Sequence, residues 1–350
     1  MERENIGPET NSFEQINEDH DAQDPTYNID SFVQQIKETA DKLIRDRITR
    51  GDAKLLNTAV KEMRYGFKIF SAYRNRRKIS VFGSARLPLD HPACLQAIEF
   101  SRRMAREGFM VITGAANGIM EAGHVGAGQD ASIGVNILLP FESEANAVIA
   151  DDPKLINLKY FFTRKLLFIK ESDAVALFPG GFGTLDEGFE ALTLVQTGKS
   201  HMFPIVMVDE PGGDYWHGLY DYIQKVLLKR GLISHEDLHL FKLTDSVDEA
   251  VNEILGYYRV YHSMRFVRNH LVLRLKQELS AETLDTINSE FADILVSGKF
   301  TQTTALPEES NDEHILHFPR LVFHFDRYHQ GRLRMLIDRI NETGEDKSEV

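Results

Sequence analysis

The sequence has a single cysteine, and no apolar run approaches the roughly 18 residues a membrane span requires. One thiol, Cys94, excludes an internal disulfide and suits a reducing compartment. The N-terminus lacks the basic, apolar and small-residue succession of a signal peptide. A cytoplasmic protein with no membrane partner is expected. There is no H-E-x-x-H and no cysteine cluster. His314, His317, His324, Asp326 and His329 crowd together, but strand alternation along "LVFHFDRYH" accounts for most of them. No metal site and no cofactor are expected. A P-loop also fails: "TGKS" at 197–200 ends correctly, but Thr193 stands where glycine is required.

What is present is length, acid and alternating pattern. The 350 residues suffice for a core that needs no staples. The net charge of −13 is uneven, since residues 1–30 hold nine acidic side chains against Arg3. That stretch is poor in apolar residues, so an acidic disordered tail is expected there. Its sign opposes nonspecific nucleic-acid binding, which depends on Lys and Arg reaching phosphates. The basic run Arg74, Arg76, Arg77 and Lys78 is read as a solvated boundary.

From Ser31 apolar residues fall at helical spacing, with Gly51 between two stretches, so 31–77 form a helical preface. Over 78–258 strand-length apolar runs alternate with helical stretches. The expected strands are 78–83, 109–114, 133–139, 173–178, 204–208 and 238–243. The expected helices are 91–107, 117–129, 159–171, 184–198, 215–230 and 246–258. Strands apolar on both faces, alternating with helices, imply an α/β fold, a Rossmann-like doubly wound parallel sheet. Its ligands bind beyond the carboxyl ends of the strands. Residues 259–342 read as a small α+β appendage, with strands "HLVLRL" and "RLVFHF" and helices over 281–295 and 330–342. Residues 343–350 read as a frayed end.

The stretch "DAVALFPGGFGTLDEGFEALTLVQTGK" (173–199) is a strand, a glycine-rich turn and a helix. Glycine lets a ligand approach the backbone, and free N–H groups at a helix start favour an anion. Gly180, Gly181, Phe182, Gly183 and Thr184 therefore form a candidate phosphate cradle. Thr184 and Glu187 also fit a T-x-x-E capping box, which explains them as helix punctuation. Both readings stand at this point. A second turn, "ITGAANGIMEAG", brings Gly114, Asn117, Gly118 and Met120 toward the same crevice, but its spacing is not that of a dinucleotide fingerprint. After the first strand, "FGSAR" offers Ser84 and Arg86. In "YFFTRKLLFIK", Arg164 and Lys165 sit in an aromatic helical stretch, either as an exposed pair or as charges held by partners.

These motifs together resemble the LOG-type family of cytokinin riboside 5′-monophosphate phosphoribohydrolases, often called "lysine decarboxylase-like". The family's P-G-G-x-G-T-x-x-E pattern stands as Pro179, Gly180, Gly181, Phe182, Gly183, Thr184 and Glu187. Its Arg-Lys pair corresponds to Arg164 and Lys165, with Phe162 and Thr163 replacing the more usual Met-His-x lead. The turn ending in a hydrophobic-Met pair stands as "TGAANGIM". The resemblance covers roughly 78–257, and longer bacterial members have helical prefaces. It implies hydrolysis of the N-glycosidic bond of a nucleoside 5′-monophosphate, with Arg164 and Glu187 catalytic and a homodimer or higher homo-oligomer. At a helix N-terminus Glu187 is expected to stay ionised. The alternative is a nucleotide-binding sensor or carrier that does no hydrolysis. A decarboxylase would need pyridoxal phosphate on a lysine, for which Lys165 is the one candidate.

Overall fold

The computed structural model describes residues 29–139 and 145–343. The acidic tail expected over 1–30 and the frayed end expected over 343–350 fall outside the described residues, apart from Ile29, Asp30 and Thr343. The described residues form two units, one of 29–261 with 327–343 and one of 262–326.

The first unit opens with helices α1 (Asp30–Arg45) and α2 (Arg50–Ser71). Gly51 lies inside α2 rather than between helices, because Thr49 and Asp52 form a reciprocal capping box just before it. Seven parallel strands follow: β1 (Lys78–Phe82), β2 (Met110–Thr113), β3 (Ser132–Ile137), β4 (Leu155–Leu158), β5 (Ala174–Leu177), β6 (Ile205–Val208) and β7 (Phe241–Thr244). Their order in the sheet is β4-β3-β2-β1-β5-β6-β7. The chain therefore runs outward from β1 on one side and resumes at β5 on the other. Between β1 and β5 the strand order reverses, and there a parallel sheet opens its ligand crevice.

Every residue of β1, β2, β3, β5 and β6 is buried, as strands covered on both faces require. The covering helices are α3 (Pro92–Arg106), α4 (Ile119–Ala127), α5 (Phe161–Glu171), α6 (Phe182–Gln196), α7 (Tyr215–Tyr222) and α8 (Val247–Tyr257). The edge strand β4 has no expected counterpart, since only Ile156 and Leu158 of its four residues are buried. The basic run before β1 is not a solvated face. Arg77 pairs with Asp173 at 3.3 Å and lies 3.6 Å over the Tyr258 ring, and Lys78 is buried 3.8 Å from Glu171.

The second unit is a four-stranded sheet in the order β10-β11-β9-β8, with α9 (Ala281–Glu290) against β10. Its strands are β8 (Tyr261–Val267), β9 (His270–Leu275), β10 (Leu295–Thr303) and β11 (Arg320–Phe325). β11 pairs antiparallel with β9 and β10. The sequence division sets 259–342 apart as one appendage, whereas the last helix, α10 (Gln330–Glu342), groups with the first unit. The Asn341 side chain accepts from the Val260 and Tyr261 amides at 2.8 and 2.9 Å and donates to the Tyr257 carbonyl at 2.6 Å.

Candidate active site

Three loops meet at the carboxyl ends of β1, β2 and β5. Ser84, after β1, donates its amide to the Pro179 carbonyl at 3.0 Å, and its own carbonyl accepts from the Ile119 amide at 2.9 Å. The Ser84 hydroxyl accepts from the Arg86 amide at 3.1 Å, which fixes the turn rather than leaving that oxygen free. Gly118 lets the second loop in. It sits at φ +67°, and a Cβ there would fall 2.2 Å from the Ser84 carbonyl oxygen. The neighbouring Ala115 also has positive φ, at 64°. Its conformation is held from below: the Asn146 side-chain amide donates to the Ala115 and Ala116 carbonyls at 3.0 and 3.1 Å. Asn146 also meets buried His124, whose Nε2 lies 3.2 Å from the Ile133 carbonyl. Burial pushes His124 down to about 4, so it is neutral at neutral pH.

The third loop carries the glycine run. α6 starts at Phe182 with Gly181 as its N-cap, two residues earlier than expected, and no side chain caps it. Thr184 and Glu187 therefore lie inside the helix and form no capping box. Instead, Thr184 is buried with its hydroxyl turned to Gly180, where a Cβ would stand 2.1 Å away. The Gly180 carbonyl accepts from the Tyr215 hydroxyl at 2.5 Å, a contact with no trace in the motif. At Gly181 and Gly183 a Cβ would meet nothing within 4 Å, so these backbones border open space. Phe182, 94% exposed, stands at the rim with exposed Arg86 and Asn117.

α5 brings Arg164 and Lys165 to the same place. The Arg164 guanidinium passes over Gly114, where a Cβ would lie 2.4 Å from Nη2 and 2.7 Å from the Met120 sulfur. Arg164 Nε is buried without a hydrogen-bond partner among the described residues. Burial lowers the Arg164 pKa, and the nearby Glu187 charge opposes this. Lys165 Nζ lies 2.7 Å from Glu190, 3.0 Å from Asp186 and 3.4 Å from Glu187. Burial would pull Lys165 down, but its hydrogen bonds to Glu190 and Asp186 outweigh it and keep the ammonium charged. Of those partners, Asp186 and Glu190 were not singled out in the sequence, where they read as ordinary helix surface.

Glu187 is 6% exposed, and its Oε2 has no hydrogen-bond partner among the described residues. It lies in the second turn of α6, beyond the strong part of the helix dipole. Burial raises its pKa, with Lys165 and then Arg164 pulling it back. The expectation of a carboxylate kept low by the helix end is thus corrected. A buried acid and a buried guanidinium, each with an unpaired polar atom, face an open glycine loop. Such unsatisfied groups are rare in folded interiors and call for an explanation at the site. The apolar pocket between α6 and α7, lined by Leu177, Phe189, Met207 and Trp216 among others, includes neither Arg164 nor Glu187.

A family model described as "Possible lysine decarboxylase" matches residues 113–254, which include all of these groups except the β1 turn. The cytokinin riboside 5′-monophosphate phosphoribohydrolase LOG1 of Arabidopsis thaliana is 34% identical over 94 residues, 27% of this chain and 42% of that protein. A Mycobacterium tuberculosis protein of the same activity name is 37% identical over 101 residues, 29% of this chain and 52% of that protein. The chain is a LOG-type family member. It spans about half the length of the curated relatives it matches. Among solved structures, the molybdenum cofactor binding protein of Rippkaea orientalis is similar at 20% identity, covering 52% of this chain and 96% of that one with a TM-score of 0.35. The LOG-type motifs account for the glycine loop, the Arg-Lys pair and Glu187. They leave out Tyr215, Asn146, His124 and the anchoring of α5.

Proposed function

We propose that this LOG-type protein hydrolyses the N-glycosidic bond of a nucleoside 5′-monophosphate. Water supplies a hydroxyl to the ribose carbon and a proton to the departing base, giving free base and ribose 5-phosphate. The observation that carries the reading is the pairing of two buried, incompletely satisfied groups, Arg164 and Glu187, beneath an open glycine loop at the strand switch point. The backbone of Gly181–Thr184 receives the phosphate at the start of α6. Bond cleavage builds positive charge on the ribose, as in glycoside hydrolysis. Ionised Glu187 stabilises that charge or orients the water, and Arg164 anchors the substrate beside it.

Decarboxylation fits the geometry less well, because Lys165 is engaged by three carboxylates. The names of the curated relatives support a purine nucleotide as substrate, cytokinin riboside monophosphate or an AMP-like compound. The reading includes a homo-oligomer in the cytoplasm. α1 has no buried residue, and its apolar stripe leaves Ile36 60% and Ile44 81% exposed, which supports self-association. Sedimentation showing only monomer would remove that part, and cell fractionation tests the compartment. AMP and adenosine offered side by side test the central reading: equal cleavage of both would mean that the glycine loop holds no phosphate.

A further inference from the structure

We propose that Glu62, on the helical preface, is a positioning residue for Arg164. α5 starts without a side-chain cap of its own, since its N-cap Tyr160 supplies none. Glu62 of α2 reaches across to do that work. One carboxylate oxygen accepts from the Lys159 amide at 2.7 Å, and the other accepts from the Thr163 hydroxyl at 2.7 Å. That hydroxyl is also 2.8 Å from the Tyr160 carbonyl, and the charged acceptor makes the stronger bond. Thr163 is fully buried and immediately precedes Arg164. The carboxylate also lies at the positive end of the α5 dipole.

Two further contacts continue the clamp along the same helix pair. Gly66 lies so close to α5 that a Cβ there would fall 2.6 Å from Leu167. Lys170 Nζ stands 5.1 Å over the Phe67 ring. With Glu62 meeting Thr163, successive positions of α2 thus hold successive turns of α5. Arg164 needs such support, because its guanidinium makes no side-chain hydrogen bond that would fix it and is threaded past Gly114 and Met120. The preface is therefore part of the machinery of the site and not an attachment to it. The catalytic consequence rests on the hydrolase reading; the positioning does not.

The test uses the full chain and four variants: Glu62→Gln, Thr163→Val, their double mutant, and Thr163→Ser. The 15N resonance of the Arg164 Nε–H and the first-turn amides of α5 report positioning with no substrate present. They shift in Glu62→Gln and Thr163→Val and return in Thr163→Ser, which restores the hydroxyl. In turnover of the monophosphate, kcat falls about 10- to 100-fold in the first two variants, as small misplacements of a catalytic group produce, while KM changes less. The double mutant loses no more than the worse single one, because both remove one contact. Unmoved Arg164 resonances would overturn the proposal, as would a lower thermal midpoint with kcat per folded molecule unchanged. If wild type turns over no monophosphate, the hydrolase reading fails by itself, and the resonances still decide the positioning.

Discussion

Lys165 binds Glu190 at 2.7 Å and stands 3.4 Å from Glu187, so a neighbour on α6 draws the nearest ammonium away from the candidate catalytic carboxylate. The consequence is readable in pH. Burial raises the Glu187 pKa above its ordinary value near 4.5, so the ionised form, and activity with it, is lost as pH falls through a midpoint above that value. Glu190→Gln removes one negative neighbour and frees Lys165 for Glu187. Both changes favour ionised Glu187, so the acid limb of kcat/KM moves to lower pH. A wild-type limb at or below 4.5, or one that Glu190→Gln raises, contradicts this ordering.

The glycines separate structure from binding. At Gly118 a methyl group meets backbone at 2.2 Å and φ is +67°, so Gly118→Ala is destabilising by about 1–3 kcal/mol or more. At Gly183 a methyl group meets nothing within 4 Å, so Gly183→Ala keeps the thermal midpoint yet raises KM for the monophosphate by crowding the loop. Gly114→Ala pushes on Arg164 and Met120 and lowers kcat at least about tenfold. Melting curves and steady-state kinetics on the three variants distinguish these outcomes.

His124 gives the first unit an acid weakness. Its folded pKa is about 4 against an ordinary 6.5, so the unfolded chain binds the extra proton between those values. The stability it contributes is complete above about pH 6.5 and is lost as pH falls toward 4, roughly 3 kcal/mol in all for a fully buried ring. Denaturant unfolding from pH 7 to pH 4 measures it. A His124→Gln variant should show a flatter dependence over that range, and an unchanged slope would contradict the assignment.

The second unit depends on buried charge. Glu309 is fully buried between Arg274 and Arg320, at 2.8 and 2.9 Å. Burial alone would raise its pKa, but the hydrogen bonds from both arginines hold it below the usual value. Glu309→Ala leaves two guanidiniums short of a partner and destabilises the unit by about 3–5 kcal/mol. Hydrogen exchange at β9 and β11 reads the loss locally.

The parallel sheet was legible because its central strands are buried on both faces, leaving unbroken runs such as "KISVF". β4 was not, because an edge strand with two buried residues of four has no such run. β10 was hidden for a related reason: Gly298, at φ +80°, lies between two register shifts, and most of that strand is exposed. At the site, the glycines, Arg164 and Glu187 stood out as motif. Glu62, Asn146 and Tyr215 did not, since each acts from a distant part of the chain on a backbone group or a neighbour. The start of α6 was misplaced because a glycine backbone, not the Thr184 hydroxyl, begins the helix.

The most direct test of the account is a product assay on wild type and Glu187→Gln with AMP, GMP, CMP, N6-isopentenyl AMP and adenosine. The account predicts base and ribose 5-phosphate from at least one monophosphate and none from adenosine, with the rate falling on the order of 10²- to 10⁴-fold in Glu187→Gln. Unchanged activity in that variant, or tight nucleotide binding by wild type with no turnover, would contradict it and leave a binding protein in place of a hydrolase.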